Sequence, residues 1–347
     1  MKPRIGIIGA GAIGSVMGGL LTHGGVDVTL IDQWGDHIDA MQRDGLRLSL
    51  AGRDDLVIPV RALQISELQA VSEPFDIALV AVKSYDTEWA THLIAPYLAA
   101  DGYVLDCQNG INDERVAAIV GADRTMGCVI TIGAGLYDPG HALRTDTRPL
   151  GFKVGELDGS HSDRAQTMAD LLTHVAGSEV TTNLWGERWA KLAVNCMANP
   201  IAGLTGYGSA EVRSRADTRD ICVHLAAEAI EVGRAHGHEI DGVWGIAAQR
   251  YVEAAAGQNV EQLGADLAAG AVALGEGRPS FLQDVLRKRR TEIDFLNGYV
   301  AARGRESEVP TPYNDAVVDL VHSFPVGELQ PDPANLARLI DAVGGRP

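Results

Sequence analysis

Apolar positions fall in short runs early in the chain and in long three-to-four-residue periods later, and this change of texture divides the molecule. Runs at residues 4–8, 27–31, 77–82, 103–106 and 125–132 read as strands, and the segments between them carry helical periodicity. That alternation predicts a mostly parallel, doubly wound α/β sheet covered by helices. Between residues 135 and 156 polar and apolar residues alternate around Asp138-Pro139-Gly140, which predicts a β-hairpin or an antiparallel edge closing the sheet. A helix over 162–176 and a short strand over 179–182 complete a first domain at residues 1–182.

Beyond Asn183 the strand signals stop. Helical patterns at 187–199, 221–235, 242–256, 260–274 and 281–303 predict an all-helical second domain at residues 183–347. The stretch 254–277 is rich in alanine and glycine, and reads either as helices packed through small side chains or as a flap over a site.

Chemistry enters at the first strand. Gly9, Ala10, Gly11, Ala12, Ile13 and Gly14 stand directly after the first apolar run and before a helix-compatible stretch. Gly9 permits a tight turn, Gly11 lets the backbone approach a pyrophosphate, and Gly14 allows close helix–strand packing, so the segment predicts a dinucleotide site. Asp32 ends the second apolar run about twenty residues on, where such sites hold ribose hydroxyls. Lys83 and Asn109-Gly110 follow two later strands, at the sheet end where open α/β sheets bind ligands.

In the second half, Lys191, Asn195 and Asn199 recur every four residues on a helix that is apolar nearly all round, so they form one polar stripe suited to line a pocket. Arg188 falls near the start of that stripe and marks where it would reach water. Pro200 is expected to end or bend the helix at Asn199. Glu292 sits on the apolar stripe of the 281–303 pattern, where a carboxylate is costly unless partnered. It reads either as a ligand-site group or as the partner of Lys288 or Arg289, one turn earlier. Ser280, three residues before Gln283, has the outline of a capping box, which competes with a ligand-binding role.

The remaining composition narrows the field. A net charge of −17 argues against a nucleic-acid partner, and the one dense basic run, residues 287–290, reads as a solvated helix face. Cys107, Cys128, Cys196 and Cys222 are too scattered for a zinc site or a secreted scaffold, so no metal is expected. No apolar stretch reaches the ~20 residues of a membrane span, and the patch after Lys2 and Arg4 lacks a cleavage site. The expectation is a soluble cytoplasmic protein without membrane or nucleic-acid partners.

These motifs together resemble the ketopantoate reductases (2-dehydropantoate 2-reductases). The resemblance rests on the glycine turn, VAVKSYDT around Lys83, QNG at 108–110, WAKLAVNCMANP at 189–200, SFLQD from Ser280, RTEIDFLNG from Arg290 and VPTPYND near the end. It implies an N-terminal Rossmann domain, a helical C-terminal domain, a cleft between them and often a homodimer. It further implies an NAD(P)H-dependent enzyme acting on a small 2-oxo acid, with Lys191 as general acid and Glu292 as a catalytic-site organiser that also contacts ligands. Lys83, Asn109, Asn195, Asn199 and Ser280 would contact cofactor or substrate. Asp32-Gln33-Trp34 replaces the basic residue common in NADPH-using members, which tilts the cofactor towards NAD(H). Ser209 stands where the family often places a further substrate asparagine. A β-hydroxyacid dehydrogenase and a non-catalytic NAD(P)-binding sensor are the competing readings; TEIDFLNG argues against the first, and Lys191 with Glu292 against the second.

Overall fold

A computed structural model describes residues 3–271 and 278–345. The chain divides into two compact units, Met1–Leu184 and Trp185–Pro347.

The first unit contains β1 (Arg4–Ile8), β2 (Asp27–Asp32), β3 (Leu46–Leu50), β4 (Leu56–Ile58), β5 (Arg61–Gln64), β6 (Phe75–Val80), β7 (Leu98–Asp106), β8 (Thr125–Ile130), β9 (Ala134–Asp138), β10 (His141–Arg144), β11 (Leu150–Glu156) and β12 (Gly177–Val180). Its helices are α1 (Ala12–His23), α2 (Gly35–Asp44), α3 (Thr87–Ile94), α4 (Asp113–Val120) and α5 (Asp163–Leu172). Eight strands form one sheet in the order β12-β11-β8-β7-β6-β1-β2-β5. Pairing within it is parallel except where β11 runs against β8. Ile5, Ile7 and Ile8 of β1 are buried, and Val16, Met17 and Leu21 of α1 join Ile5 and Ile7 in one core while Ile8 packs into a second. Each such side chain contributes ~1.5–3 kcal/mol by leaving water.

The segment 135–156 does two things rather than one. Its Asp138-Pro139-Gly140 turn joins β9 to β10, which belong to a separate four-stranded sheet, β4-β3-β10-β9, while the antiparallel edge of the main sheet is made by β11. The second sheet gives no apolar run because β3, Leu-Arg-Leu-Ser-Leu, alternates apolar with polar residues and β4 is only three residues long.

The second unit contains α6 (Leu184–Thr205, beginning at the last residue of the first unit), α7 (Ser209–Ser214), α8 (Ala216–Ala235), α9 (Ala248–Ala255), α10 (Val260–Ala271), α11 (Ser280–Leu286), α12 (Asn297–Glu306), α13 (Pro312–His322) and α14 (Ala334–Ala342). It is helical apart from a small hairpin, β13 (Gly242–Val243) with β14 (Ile246–Ala247). That hairpin takes the first six residues of the expected 242–256 helix, because Trp244 (φ 54°) and Gly245 (φ 78°) both adopt the left-handed conformation of a tight two-residue turn. In the 254–277 stretch, Gly264 of α10 lies so close to Arg219 of α8 that an added Cβ would sit 2.7 Å from its Nε. Residues 272–277, and with them the end of the expected 260–274 helix, lie outside the described residues.

The 281–303 pattern is not one helix. It breaks after Leu286 because the Arg289 N–H donates to Asp284 O (2.9 Å) and the Lys288 N–H to Val285 O (3.0 Å), with Lys288 left-handed at φ 56°. This is a Schellman stop. Lysine rather than glycine occupies the left-handed position, so the sequence carried no visible signal of it. The basic run 287–290 is therefore a helix terminus and loop, not a helix face.

Candidate functional site

The glycine turn sits at the carboxyl end of β1, beside the loops that follow β6 and β7, since β1, β6 and β7 are parallel neighbours. Gly9 has φ 99°, and a Cβ there would stand 2.7 Å from the Val82 amide. A Cβ on Gly14 would stand 2.0 Å from the Gly9 carbonyl oxygen, so both positions exclude any side chain. Gly11 differs: a Cβ there would meet nothing within 4 Å, and as the N-cap of α1 it offers no side chain to the first-turn amides. An open approach to uncapped amides at a helix N-terminus suits a pyrophosphate. Asp32 is half-buried at the end of β2, and its Oδ1 accepts the Trp34 N–H at 2.8 Å.

The loops carrying Lys83 and Asn109 are laced to each other. Ser84 Oγ donates to Asn109 O (2.9 Å), Gln108 Nε2 to Val82 O (3.0 Å), and Asn112 Nδ2 to Asn109 O (2.9 Å). Lys83 and Asn109 are half-buried, while Ser84, Thr87, Gln108 and Asn112 beneath them are buried. The structure thus brings the glycine turn, Lys83 and Asn109 to one end of the sheet. Of the bracing residues, Ser84, Thr87 and Gln108 were visible only as unexplained letters of the VAVKSYDT and QNG motifs, and Asn112 lies outside both.

In the second unit α6 carries Lys191, Asn195 and Asn199 as spaced. Asn195 is 4% and Asn199 9% exposed, Lys191 is half-buried, and Leu192, Ala193 and Cys196 beside them are buried. Arg188 is 2% exposed, so it does not mark where the stripe reaches water. The helix also does not end at Asn199: it runs on to Thr205 with Pro200 inside. Proline has no N–H for the carbonyl four residues earlier, that of Cys196. Asn297 supplies the missing donor, Nδ2 to Cys196 O at 3.2 Å.

Asn297 opens a buried relay. Its Nδ2 also donates to Asn314 Oδ1 (2.9 Å), and Asn314 Nδ2 donates to Glu228 Oε2 (2.7 Å). The Glu228 carboxylate further accepts the Tyr313 and Asn314 N–H groups at 2.8 and 2.9 Å, capping the N-terminal turn of α13. Burial pushes the Glu228 carboxyl up to about 7 against these donors. The same burial, with Glu228 nearby, raises the Cys196 thiol. Asn297 and Asn314 lie in the RTEIDFLNG and VPTPYND motifs, whereas nothing in the sequence distinguished Glu228.

Glu292 is 4% exposed, in the segment between α11 and α12 rather than on a helix. Helical spacing to Lys288 or Arg289, on which the ion-pair alternative rested, is gone. Ser280 is half-buried and is the first residue of α11, with Pro279 as N-cap. The capping box is not formed, for Gln283 Nε2 instead donates to Arg278 O (2.9 Å). Ser209 opens α7 and its carbonyl accepts from Arg213 Nη1 (2.9 Å). All four cysteines are buried and none forms a disulfide. Among the described residues no cluster of His, Cys, Asp or Glu is placed to hold a metal ion, and no helix is long and apolar enough to cross a membrane.

A parallel sheet bearing this glycine turn, followed by a helical unit with a cation and two amides on a buried stripe, defines a class of two-unit oxidoreductases. Within that class the chain belongs to the ketopantoate reductase family. Residues 5–159 match the family signature described as ketopantoate reductase PanE/ApbA, and residues 183–324 match its C-terminal counterpart. A 2-dehydropantoate 2-reductase of Archaeoglobus fulgidus is 31% identical over 93% of this chain and 98% of its own length. Among solved structures, D-mandelate dehydrogenase in a ternary complex with NADH and anilino(oxo)acetate superposes with a TM-score of 0.78 at 25% identity, over 92% of this chain and 97% of that one. A 2-dehydropantoate 2-reductase of Geobacter metallireducens shares the fold with a TM-score of 0.79 at 24% identity, over 92% and 99%.

Proposed function

We propose that the chain interconverts small 2-oxo and 2-hydroxy acids with a nicotinamide dinucleotide, the first unit holding the cofactor and the second the substrate. The observation that carries this reading is the stripe of Lys191, Asn195 and Asn199 on α6, with both amides at most 9% exposed. When bound, the nicotinamide supplies hydride to the ketone carbon. Lys191 Nζ stabilises the negative charge that grows on the carbonyl oxygen and gives it a proton. Asn195 and Asn199 offer hydrogen bonds to substrate oxygens without adding charge, Ser280 adds a hydroxyl, and Glu292 orders these groups. Lys83 and Asn109 flank the cofactor at the sheet end, beside residues Gly9 to Gly14.

Support for the substrate class comes from the relatives, one group acting on 2-dehydropantoate and one neighbour binding anilino(oxo)acetate. Ser209, in place of the usual asparagine, makes the substrate side chain the open variable. A screen of 2-dehydropantoate and other 2-oxo acids, aryl ones included, followed at the nicotinamide absorbance, tests the reading. Oxidation of NADH with at least one of them is expected, and no turnover across the panel would sink it.

Asp32 favours NAD(H), since a carboxylate at this position holds a free 2′-hydroxyl and repels a 2′-phosphate. Asp32→Ala is expected to weaken NADH binding and to narrow or reverse the preference. Tenfold tighter binding of NADPH than NADH by the unaltered protein, ~1.4 kcal/mol, would contradict the argument.

A further inference from the structure

The second sheet and the Asp138-Pro139-Gly140 turn have no part in the function so far, yet they end on a group that is linked to the glycine turn through Ser15. His37 of α2 is fully buried, and its Nδ1 accepts the Gly140 N–H at 2.8 Å. An accepting Nδ1 places the ring proton on Nε2. Nε2 lies 3.1 Å from Ser15 Oγ and donates to it, and Ser15 Oγ in turn donates to the Ala10 carbonyl at 2.7 Å. Every hydrogen in this chain has one direction. Its end point, Ala10, belongs to the glycine turn, and its middle member, Ser15, is a buried residue of α1.

The same imidazole supports the other end of the cofactor site. The Trp34 indole stacks on it with ring centroids 5.3 Å apart and planes 24° from parallel, and Trp34 is the residue whose N–H holds Asp32 Oδ1. The hairpin is in turn wedged against α2. Gly140 has φ 71°, a Cβ on it would sit 2.9 Å from the Ala40 Cβ, and its carbonyl accepts the Arg47 N–H of β3 at 2.9 Å. Burial holds the His37 pKa below the usual imidazole range, opposed by Asp32 and the Ala10 carbonyl, so the neutral tautomer that the hydrogen bonds require is also the favoured one.

We propose that His37 is a positioning residue of the cofactor site, holding the phosphate turn through Ser15 and the Asp32–Trp34 corner through its ring face, with the second sheet as its abutment. Fixed donors of this kind gain affinity by removing alternative arrangements before the ligand arrives. The inference rests on the reading that the first unit binds a nicotinamide dinucleotide.

The test is calorimetric binding of NADH and NADPH to the whole protein, without substrate, for wild type, Ser15→Ala, His37→Ala and the double variant. Ser15→Ala removes the link to the turn, leaving the His37 Nε2–H without its acceptor but the ring in place against Trp34, so it serves even where His37→Ala does not fold. It should weaken both cofactors by the same factor, about tenfold. His37→Ala should weaken NADH at least as much and also narrow the NADH over NADPH ratio, because it alone loosens Trp34. The double variant should be no weaker than His37→Ala, since both substitutions break one chain. Folded Ser15→Ala that binds NADH within about twofold of wild type, or singles whose losses multiply in the double, would overturn the proposal. Wild-type protein that binds neither cofactor would overturn the cofactor reading itself, a result distinct from variants that bind as wild type does.

Discussion

Lys191→Met is expected to lower turnover ~10²–10⁴-fold, the usual contribution of a positioned acid, with fold and cofactor affinity retained. Methionine keeps the length of the side chain and suits the buried neighbours Leu192 and Ala193, so the substitution isolates the ammonium. Its interaction with the carbonyl oxygen strengthens as charge develops there. The loss should therefore fall on kcat and on kcat/KM rather than on KM alone. Steady-state kinetics on folded, cofactor-binding variant protein checks this, and a near-normal kcat would remove the lysine from the mechanism.

Glu228→Ala should cost the second unit about 3 kcal/mol in denaturant unfolding, although Glu228 is far in sequence from every ligand motif. Truncation strands the Tyr313 N–H, the Asn314 N–H and one of the two Asn314 Nδ2 hydrogens, the other staying on Leu225 O, each a penalty of ~1–3 kcal/mol when buried. Part is recovered, because a carboxylate no longer has to be buried. The pH dependence carries the sign of a raised pKa. The folded protein holds the Glu228 proton up to about 7, while the unfolded chain releases it near ~4.3. Stability from this group is thus complete below the unfolded value and is lost as pH rises through about 7. Glu228→Gln should flatten that slope and cost less than Glu228→Ala. Equal stability of Glu228→Ala and wild type would show that the relay does not hold α13.

Legibility followed the range of the forces involved. β1, β2, β6, β7 and β8 were readable because each is a local apolar run, and Gly9 and Gly14 because backbone sterics alone dictate glycine there. Glu292 was correctly expected to be buried, but the helix assigned to it was wrong. What ends α11 is a hydrogen-bonded stop around a left-handed Lys288, and propensity alone would have placed a glycine there. His37 and Glu228 were invisible for a different reason. Each matters through partners far along the chain, Gly140 for one and Asn314 for the other, and no period or motif within a short window encodes such a meeting.

The passage of α6 through Pro200 has a consequence for recombination between relatives. The proline and Asn297 are one repair made from two distant pieces of chain, the first opening a gap at the Cys196 carbonyl and the second filling it. A chimera that inherits Pro200 from one parent and lacks the Asn297 amide from the other receives the gap without the patch. The defect would then lie one residue beyond Asn195, in the helix that carries Lys191. Crossover points that keep α6 and the start of α12 from the same parent should therefore give active offspring more often than those that separate them.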